Sequence, residues 1–276
     1  MLPTSSDSSF VADSSNAPVV PLVGSTPSLE AGVRPTPIEV RALHIVNGEH
    51  FSGAERVQSH LGRCLPEYGV SADFACVKPG RFSDLLDEHS GRWGEGFRIP
   101  MRHRADISAA FRIRDLVREF QYDLVHAHTP RTAMIAAITK RLTGVPWIYH
   151  VHSPTSRDSS RVFVNQINAW TERLSLASCS HLITVSQSLR DDCLASGAEE
   201  DHVSVVHNGV PGTRPKRNST PKPNGKWTFG MVALMRPRKG LEVAIDAIAK
   251  LRQNGNNISL RCIGPFESDD YRNEIE

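Results

Sequence analysis

The sequence predicts an α/β protein: one complete doubly wound domain followed by the opening of a second α/β unit. Three observations predict it. From residue 38 to residue 206, short apolar runs alternate with amphipathic segments, the pattern of a parallel sheet whose crossovers are helices. Residues 211–226 break that pattern with Pro, Asn, Lys and Thr and read as a linker. After the linker a strand–helix–strand–helix pattern starts afresh.

The elements are expected as follows. Residues 1–37 are rich in Ser, Pro and small side chains, with Arg34 as the one basic residue, and are predicted to be disordered. They lack the basic start and continuous apolar stretch of a secretory signal; a start codon placed too far upstream explains them equally well. Order begins with a strand over Ile38–Val46, a loop over Gly48–Gly53, and a helix over Ala54–Leu65 that stops before Pro66. A strand (Ala72–Val77), a short helix (Phe82–His89) and a strand near Phe97–Pro100 follow. A helix over Ala105–Phe120 places Ile107, Ala110, Ile113, Val117 and Phe120 on one face. Next come strand Leu124–His128, helix Ala133–Leu142, strand Trp147–His152 and a longer helix over Val162–Ala177. Strand Leu182–Val185, helix Ser188–Leu194 and strand Val203–Val206 close the first domain, set at 38–210. The second unit, 227–276, holds strand Trp227–Leu234, a helix opening at Lys239-Gly240, strand Ile258–Cys262 and a helix from Ser268. Its first helix is read from the seam Leu241, Ile245, Ile248 and Leu251, widened by Ala244 and Ala247, with Gly255 as the stop.

The totals exclude several classes. A net charge of +2 and a pI near 8.3 are too mild for a nucleic-acid binder. Five cysteines, scattered and never spaced C-x-x-C, argue for reduced thiols in a cytoplasmic protein and against a disulfide framework or a cysteine-based zinc site. No apolar run has the length needed to span a membrane.

Polar groups gather where strands end, the position at which open α/β sheets bind ligands. Gly48–Glu55 (GEHFSGAE) is neither a Walker A loop nor G-x-G-x-x-G, yet Gly53 at a helix start lets a ligand approach the backbone. In Asp123–Arg131 (DLVHAHTPR), His126 and His128 fall on one strand face. His126 reads as structural, while His128 and Arg131, at the strand end, read as ligand-facing. In Pro146–Pro154 (PWIYHVHSP), His150 and His152 again share a face. Ser186 is read equally as a helix N-cap and as a ligand group, and Asn208-Gly209 as a turn at a strand end. In Met231–Leu251 (MVALMRPRKGLEVAIDAIAKL), a strand runs through a basic turn into a helix whose N-terminus attracts phosphate. Arg236, Arg238 and Lys239 add charge there, the plain alternative being a solvated basic turn.

Taken together, these segments resemble the group 1 (family four) glycosyltransferases of the GT-B fold, from about Val40 to the C-terminus. In that family a strand ending Gly-Arg-Leu leads to Lys-Gly, and the Arg and Lys grip the donor diphosphate. Lys239-Gly240 matches, whereas Leu234 stands on the Arg position, with Arg236 two residues on. The GEHFSGAE loop is similar to the family's Gly-Gly-Ala-Glu run, with Ser52 for the first Gly. His152, followed by Ser153, falls on the His that contacts the donor sugar; Asn208-Gly209-Val210 resembles Asn-Gly-Val-Asp, with Pro211 for Asp. The family's two donor-binding glutamates have no counterpart, since Glu274 and Glu276 are too early and too close together.

The resemblance implies a retaining transfer of a sugar from a nucleotide-diphosphate donor to a glycan or lipid-linked acceptor in cell-envelope or polysaccharide synthesis. Lys239, Gly240 and Arg236 would hold the diphosphate. Gly53, His128, Arg131, His152, Ser186 and Asn208 would line the donor and acceptor side. No metal or cofactor is expected, the nucleotide-sugar being substrate, and no nucleic-acid partner. Because the second unit stops early, a remnant or one half of a split enzyme is the competing reading, with a partner chain completing the donor domain. A zinc-dependent hydrolase built on the two H-x-H pairs is the third. The basic helix Ala105–Phe120, with Arg112, Arg114 and Arg118, and nearby Arg98, Arg102 and Arg104, raises peripheral contact with the inner face of the cytoplasmic membrane. The plain alternative is a surface helix over the sheet.

Overall fold

A computed structural model describes residues 37–153, 174–210 and 225–276. The predicted disorder over residues 1–36, most of the Val162–Ala177 helix and residues 211–224 of the linker lie outside them. The chain divides into two compact units, Met1–Gly212 and Thr213–Glu276.

The first unit carries seven strands: β1 (Val40–Val46), β2 (Val70–Cys76), β3 (Gly96–Arg98), β4 (Leu124–Ala127), β5 (Trp147–Val151), β6 (His181–Thr184) and β7 (Val203–Val205). They form one sheet in the order β3-β2-β1-β4-β5-β6-β7, every neighbouring pair parallel. The connecting helices are α1 (Gly53–Cys64), α2 (Arg81–Glu88), α3 (Ser108–Glu119), α4 (Pro130–Thr143) and α5 (Gln187–Ala195). The chain moves from β1 outward to β3, then returns to place β4 on the other side of β1. The carboxyl ends of β1 and β4 therefore flank the point where the winding reverses, the ligand-binding crevice of such sheets.

Each central strand is two-faced. Leu43, Ile45, Val125, Ala127, Trp147, Tyr149 and Val151 enter the larger core with Ile113 and Ala133. That set has one parity along its strands, as a strand's alternation requires. The other parity of the same three strands is His44, then His126 and His128 around the end of β4, then His150 and His152 around the end of β5. Where a parallel sheet ordinarily continues its apolar run on both faces, this one sets a field of imidazoles beside the smaller core of Val46, Phe74, Phe82 and Leu86.

Two helix starts differ from expectation. Helix α3 opens at Ser108, three residues late, because Asp106 accepts hydrogen bonds from the Arg102 N–H (2.8 Å) and the Ser108 N–H (2.9 Å) and turns the chain there. The Ser108 bonds and the Arg102 N–H hold its carboxyl down to about 2. Ile107 is thereby left 51% exposed, off the buried face it was assigned to. Helix α4 opens at Pro130, three residues early, because Thr129 is its N-cap and Pro130 occupies its first position. Thr129 Oγ1 accepts from the Thr132 N–H at 3.3 Å.

The second unit pairs β8 (Lys226–Val232) with β9 (Asn257–Ile263) in parallel, with helices α6 (Leu241–Gln253) and α7 (Asp269–Ile275). Its core is Met235, Leu241 and Tyr271, with Ile245, Leu260 and Phe266 partly buried around it. The predicted seam of α6 is buried only at its start: Leu241 is covered, whereas Ala247 and Leu251 are exposed. Among the described residues no helix is long and apolar enough to cross a membrane. On the basic face proposed for lipid, Arg112 donates to the Pro100 carbonyl, Arg118 to the Leu142 carbonyl, and Arg98 to Asp84 and Asp87.

Candidate functional site

The first unit's site is a row of five histidines at the winding reversal. His44, His126, His128 and His150 are between 1% and 6% exposed, and His152 is partly buried. His44 Nδ1 lies 3.0 Å from His128 Nε2, and His128 Nδ1 lies 3.1 Å from His152 Nε2. His126 stacks on His150 with ring planes 8° apart and centroids separated by 5.5 Å. Register explains the gathering: His44 pairs with His126 across β1 and β4, and β5 sits on the far side of β4.

Burial decides the charge. Desolvation pushes the imidazoles of His44 and His150 down to about 3 and that of His152 to about 4; it drives His126 and His128 well below the ordinary value, neighbouring rings adding to the effect. The Glu55 carboxylate works the other way on His152. All five rings are neutral at pH 7.

Around the row, α1 begins at Gly53, where a Cβ would meet nothing within 4 Å, so the backbone is open to approach. Ser52 precedes it, its N–H and hydroxyl both bonded to Glu55 at 3.0 and 2.5 Å. Thr132 orders the β4–α4 turn: its Oγ1 accepts from the His128 N–H (3.0 Å) and the Thr129 N–H (2.9 Å). Arg131, in the first turn of α4, is half-buried, and its Nε has no partner among the described residues. Burial lowers its guanidinium pKa, with a contribution from Arg104 opposed by Glu49. Glu49 is itself paired with Lys78.

The remaining predicted residues fall differently. Ser186 is the N-cap of α5, its Oγ accepting from the Leu189 N–H at 3.3 Å, so its hydroxyl is committed to structure. Asn208 is exposed, three residues past β7, and makes no hydrogen bond among the described residues. His44, Glu49, Glu55 and Lys78 belong to the site's surroundings and were not singled out from the sequence. The readable signal for His44 was its parity, histidine amid an apolar strand, matching the other two strands.

Two groups of the row, His44–His126–His128 and His128–His150–His152, bring ring nitrogens within 4.8 Å of one another, as a metal ion would need. The fit is poor. His128, common to both, already has each ring nitrogen against another histidine. The Nε2 atoms of His44 and His126, and both nitrogens of His150, are sealed off and meet, among the described residues, no carbonyl or carboxylate of the kind that ordinarily backs a metal-binding imidazole. The metal-dependent hydrolases that carry such H-x-H pairs are built on closed barrels, whereas this sheet is open and parallel.

In the second unit the basic turn is a 3-10 turn, Pro237–Lys239, and the helix proper starts one residue past the predicted Lys239-Gly240 opening. Gly240 sits at φ 71°, the left-handed region, and caps α6 without a side chain. The first-turn N–H groups therefore have no side-chain acceptor, and Lys239 beside them is exposed and without an ion pair among the described residues. Arg236 is engaged instead: its Nη1 donates to Glu267 Oε1 at 3.1 Å. Leu234, on the family's arginine position, is 41% exposed.

Comparisons with known proteins give the family and the fold. The model for Glycosyltransferase Family 4 matches residues 51–214, more than half of the chain. A UDP-Gal:alpha-D-GlcNAc-diphosphoundecaprenol alpha-1,3-galactosyltransferase of Escherichia coli is 24% identical over 185 residues, covering 64% of this chain and 47% of that protein. Crystal structures of HepE from Anabaena, one in complex with UDP and glucose, share the fold; that one has a TM-score of 0.67 at 18% identity, covering 86% of this chain and 64% of the other. The lipopolysaccharide outer core galactosyltransferase WaaB gives a TM-score of 0.57 at 14% identity, covering 86% and 65%. The chain spans about half the length of the curated relatives it matches, among them the Escherichia coli protein and a glycosyltransferase from Methanocaldococcus jannaschii. With its parallel seven-stranded sheet, the fold is of the GT-B type, and the chain belongs to glycosyltransferase family 4.

Proposed function

We propose that the chain carries a sugar transfer from a nucleotide-diphosphate donor to an acceptor hydroxyl, with retention of anomeric configuration. The observation that supports it most is a coincidence. The family match runs through the edge of the sheet where Gly53, His128 and His152 converge on the winding reversal. His152 holds the donor sugar, with Gly53 giving its backbone room and His128 and Arg131 on the acceptor side. Lys239, Gly240 and the N-terminus of α6 take the diphosphate, with Arg236 joining only by leaving Glu267. The bond between the anomeric carbon and the diphosphate oxygen breaks, that oxygen keeping the electron pair. Fixed positive groups stabilise the charge that develops there. The acceptor oxygen bonds to the same carbon and gives up its proton to the departing diphosphate oxygen. No metal enters this reading.

The relatives supply the substrate classes. The Escherichia coli protein is named for UDP-galactose and a diphosphoundecaprenol-linked acceptor, and HepE is seen with UDP and glucose. By likeness, we place this chain in cell-envelope or polysaccharide synthesis at the cytoplasmic face of the membrane, using a UDP-sugar. The test is UDP release from UDP-glucose, UDP-galactose and UDP-N-acetylglucosamine with a lipid-diphosphate-linked sugar as acceptor. An α-linked product by proton coupling constants is expected. A saturably bound UDP-sugar yielding an inverted product would overturn retention, and no UDP-sugar binding would overturn the reading.

A further inference from the structure

We propose that His44 and His128 are positioning residues: they form a hydrogen-bonded row of fixed direction that sets the tautomer of His152, so that Nδ1 of His152 carries the proton and is presented as a donor to a ligand oxygen. The identity of that oxygen, a sugar hydroxyl or a phosphate of the donor, rests on the function proposed above. The tautomer itself does not.

Two contacts in series fix the logic. A neutral imidazole has one N–H and one bare nitrogen, so His128 donates from one ring nitrogen and accepts at the other. Its neighbours, at 3.0 and 3.1 Å, must then point the same way along the row. A charged His128 would donate in both directions, but it is buried among four other rings with no carboxylate bonded to it among the described residues. Only two arrangements remain. In the outward one, His44 Nδ1–H donates to His128 Nε2, His128 Nδ1–H donates to His152 Nε2, and His152 Nδ1–H faces the ligand. In the inward one every proton moves to the other nitrogen.

The inner end chooses between them. His44 Nε2 is sealed from solvent without a partner among the described residues, and its ring lies against Phe74 with centroids 5.1 Å apart. The inward arrangement would strand an N–H there, and orphaned buried N–H groups are rarer than under-satisfied acceptors. At the outer end Glu55, fixed by Ser52 at the start of α1, puts a negative field on His152. His152 Nδ1 is not among the sealed-off atoms. His126 and His150 flank the row by ring contact without a hydrogen bond to it, so they support it and do not set its direction.

The experiment is long-range proton–nitrogen correlation on the full chain labelled with nitrogen-15 histidine. A protonated Nδ1 and bare Nε2 at His152 are expected; the opposite assignment, or rapid averaging, would overturn the proposal without any ligand present. His44→Leu removes the inner donor and should leave His152 a mixture of tautomers. His44→Asn puts an amide N–H where Nδ1 stood and should restore the single form. Should His44→Leu fail to fold, the wild-type and His44→Asn spectra still decide, since an altered tautomer in His44→Asn counts against the row. UDP-glucose affinity should fall about tenfold in His44→Leu and recover to within about twofold in His44→Asn, the scale of one hydrogen bond. If UDP-glucose does not bind the wild type, the proposed function fails while the spectrum still judges the tautomer.

Discussion

The two units bring opposite chemistry to their candidate sites. All twelve histidines lie in residues 1–212 and none in 213–276. The first unit gathers five of them on a seven-stranded sheet as neutral rings, four of them buried and three linked in series by hydrogen bonds. The second unit offers formal charge and bare backbone on an exposed turn: Lys239, a glycine cap and unpaired first-turn amides. A buried neutral array gives directional hydrogen bonds, suited to reading hydroxyl groups. An exposed cation at a helix start gives charge attraction, suited to a diphosphate. Under the proposed function, that difference in burial becomes a difference in task.

Acid should separate the units most sharply. The five imidazoles have folded pKa values far below the unfolded value near 6.5. Below pH 6.5 the unfolded chain therefore takes protons that the folded first unit refuses. Stability is flat above about pH 7.5 and falls as pH drops through 6.5, by about 1.4 kcal/mol per pH unit for each histidine kept neutral. Several kcal/mol should be gone by about pH 5.5. Hydrogen exchange at β4 should accelerate accordingly while β9 keeps its rate; equal acceleration would break the comparison.

The converse test strikes the second unit alone. Gly264 has φ 135°, and a Cβ there would lie 1.9 Å from the Ala233 carbonyl oxygen. Gly264→Ala should cost more than about 2 kcal/mol, through strain and forced backbone movement. Exchange should rise across β8 and β9 and stay unchanged in β1 and β4. Thr132→Val, in the first unit, strips the acceptor from the His128 and Thr129 N–H groups. A loss of about 2 kcal/mol is expected by urea denaturation, with the His128–His152 contact loosened in the imidazole spectrum.

How much of this was readable depends on whether information was local. Strand–helix alternation is local, and the described elements appear where the periodicity placed them, within a few residues. The displaced starts of α3 and α4 came from side-chain hydrogen bonds, the Asp106 carboxylate ahead of α3 and the Thr129 cap of α4, whose effect periodicity does not carry. The H-x-H pairs were legible because strand alternation puts residues two apart on one face. His44 was not, because its partners lie more than 80 positions away in sequence and meet it only through the β1–β4 register. Arg236 looked like a free cation because its partner Glu267 arrives from the far end of β9. Ser186 was ambiguous by nature, since a serine before a helix serves capping and ligand roles equally well in sequence, and only the Leu189 N–H decides.

The division of labour is tested most directly by calorimetric titration of UDP and of UDP-glucose into the full chain and into Lys239→Ala and His152→Ala. Lys239→Ala should weaken both ligands about tenfold, the scale of one charge-assisted contact to phosphate. His152→Ala should leave UDP affinity unchanged and abolish the gain from UDP to UDP-glucose. UDP affinity indifferent to Lys239→Ala, or a UDP-glucose gain that survives His152→Ala, would contradict the assignment of diphosphate to the second unit and sugar to the first.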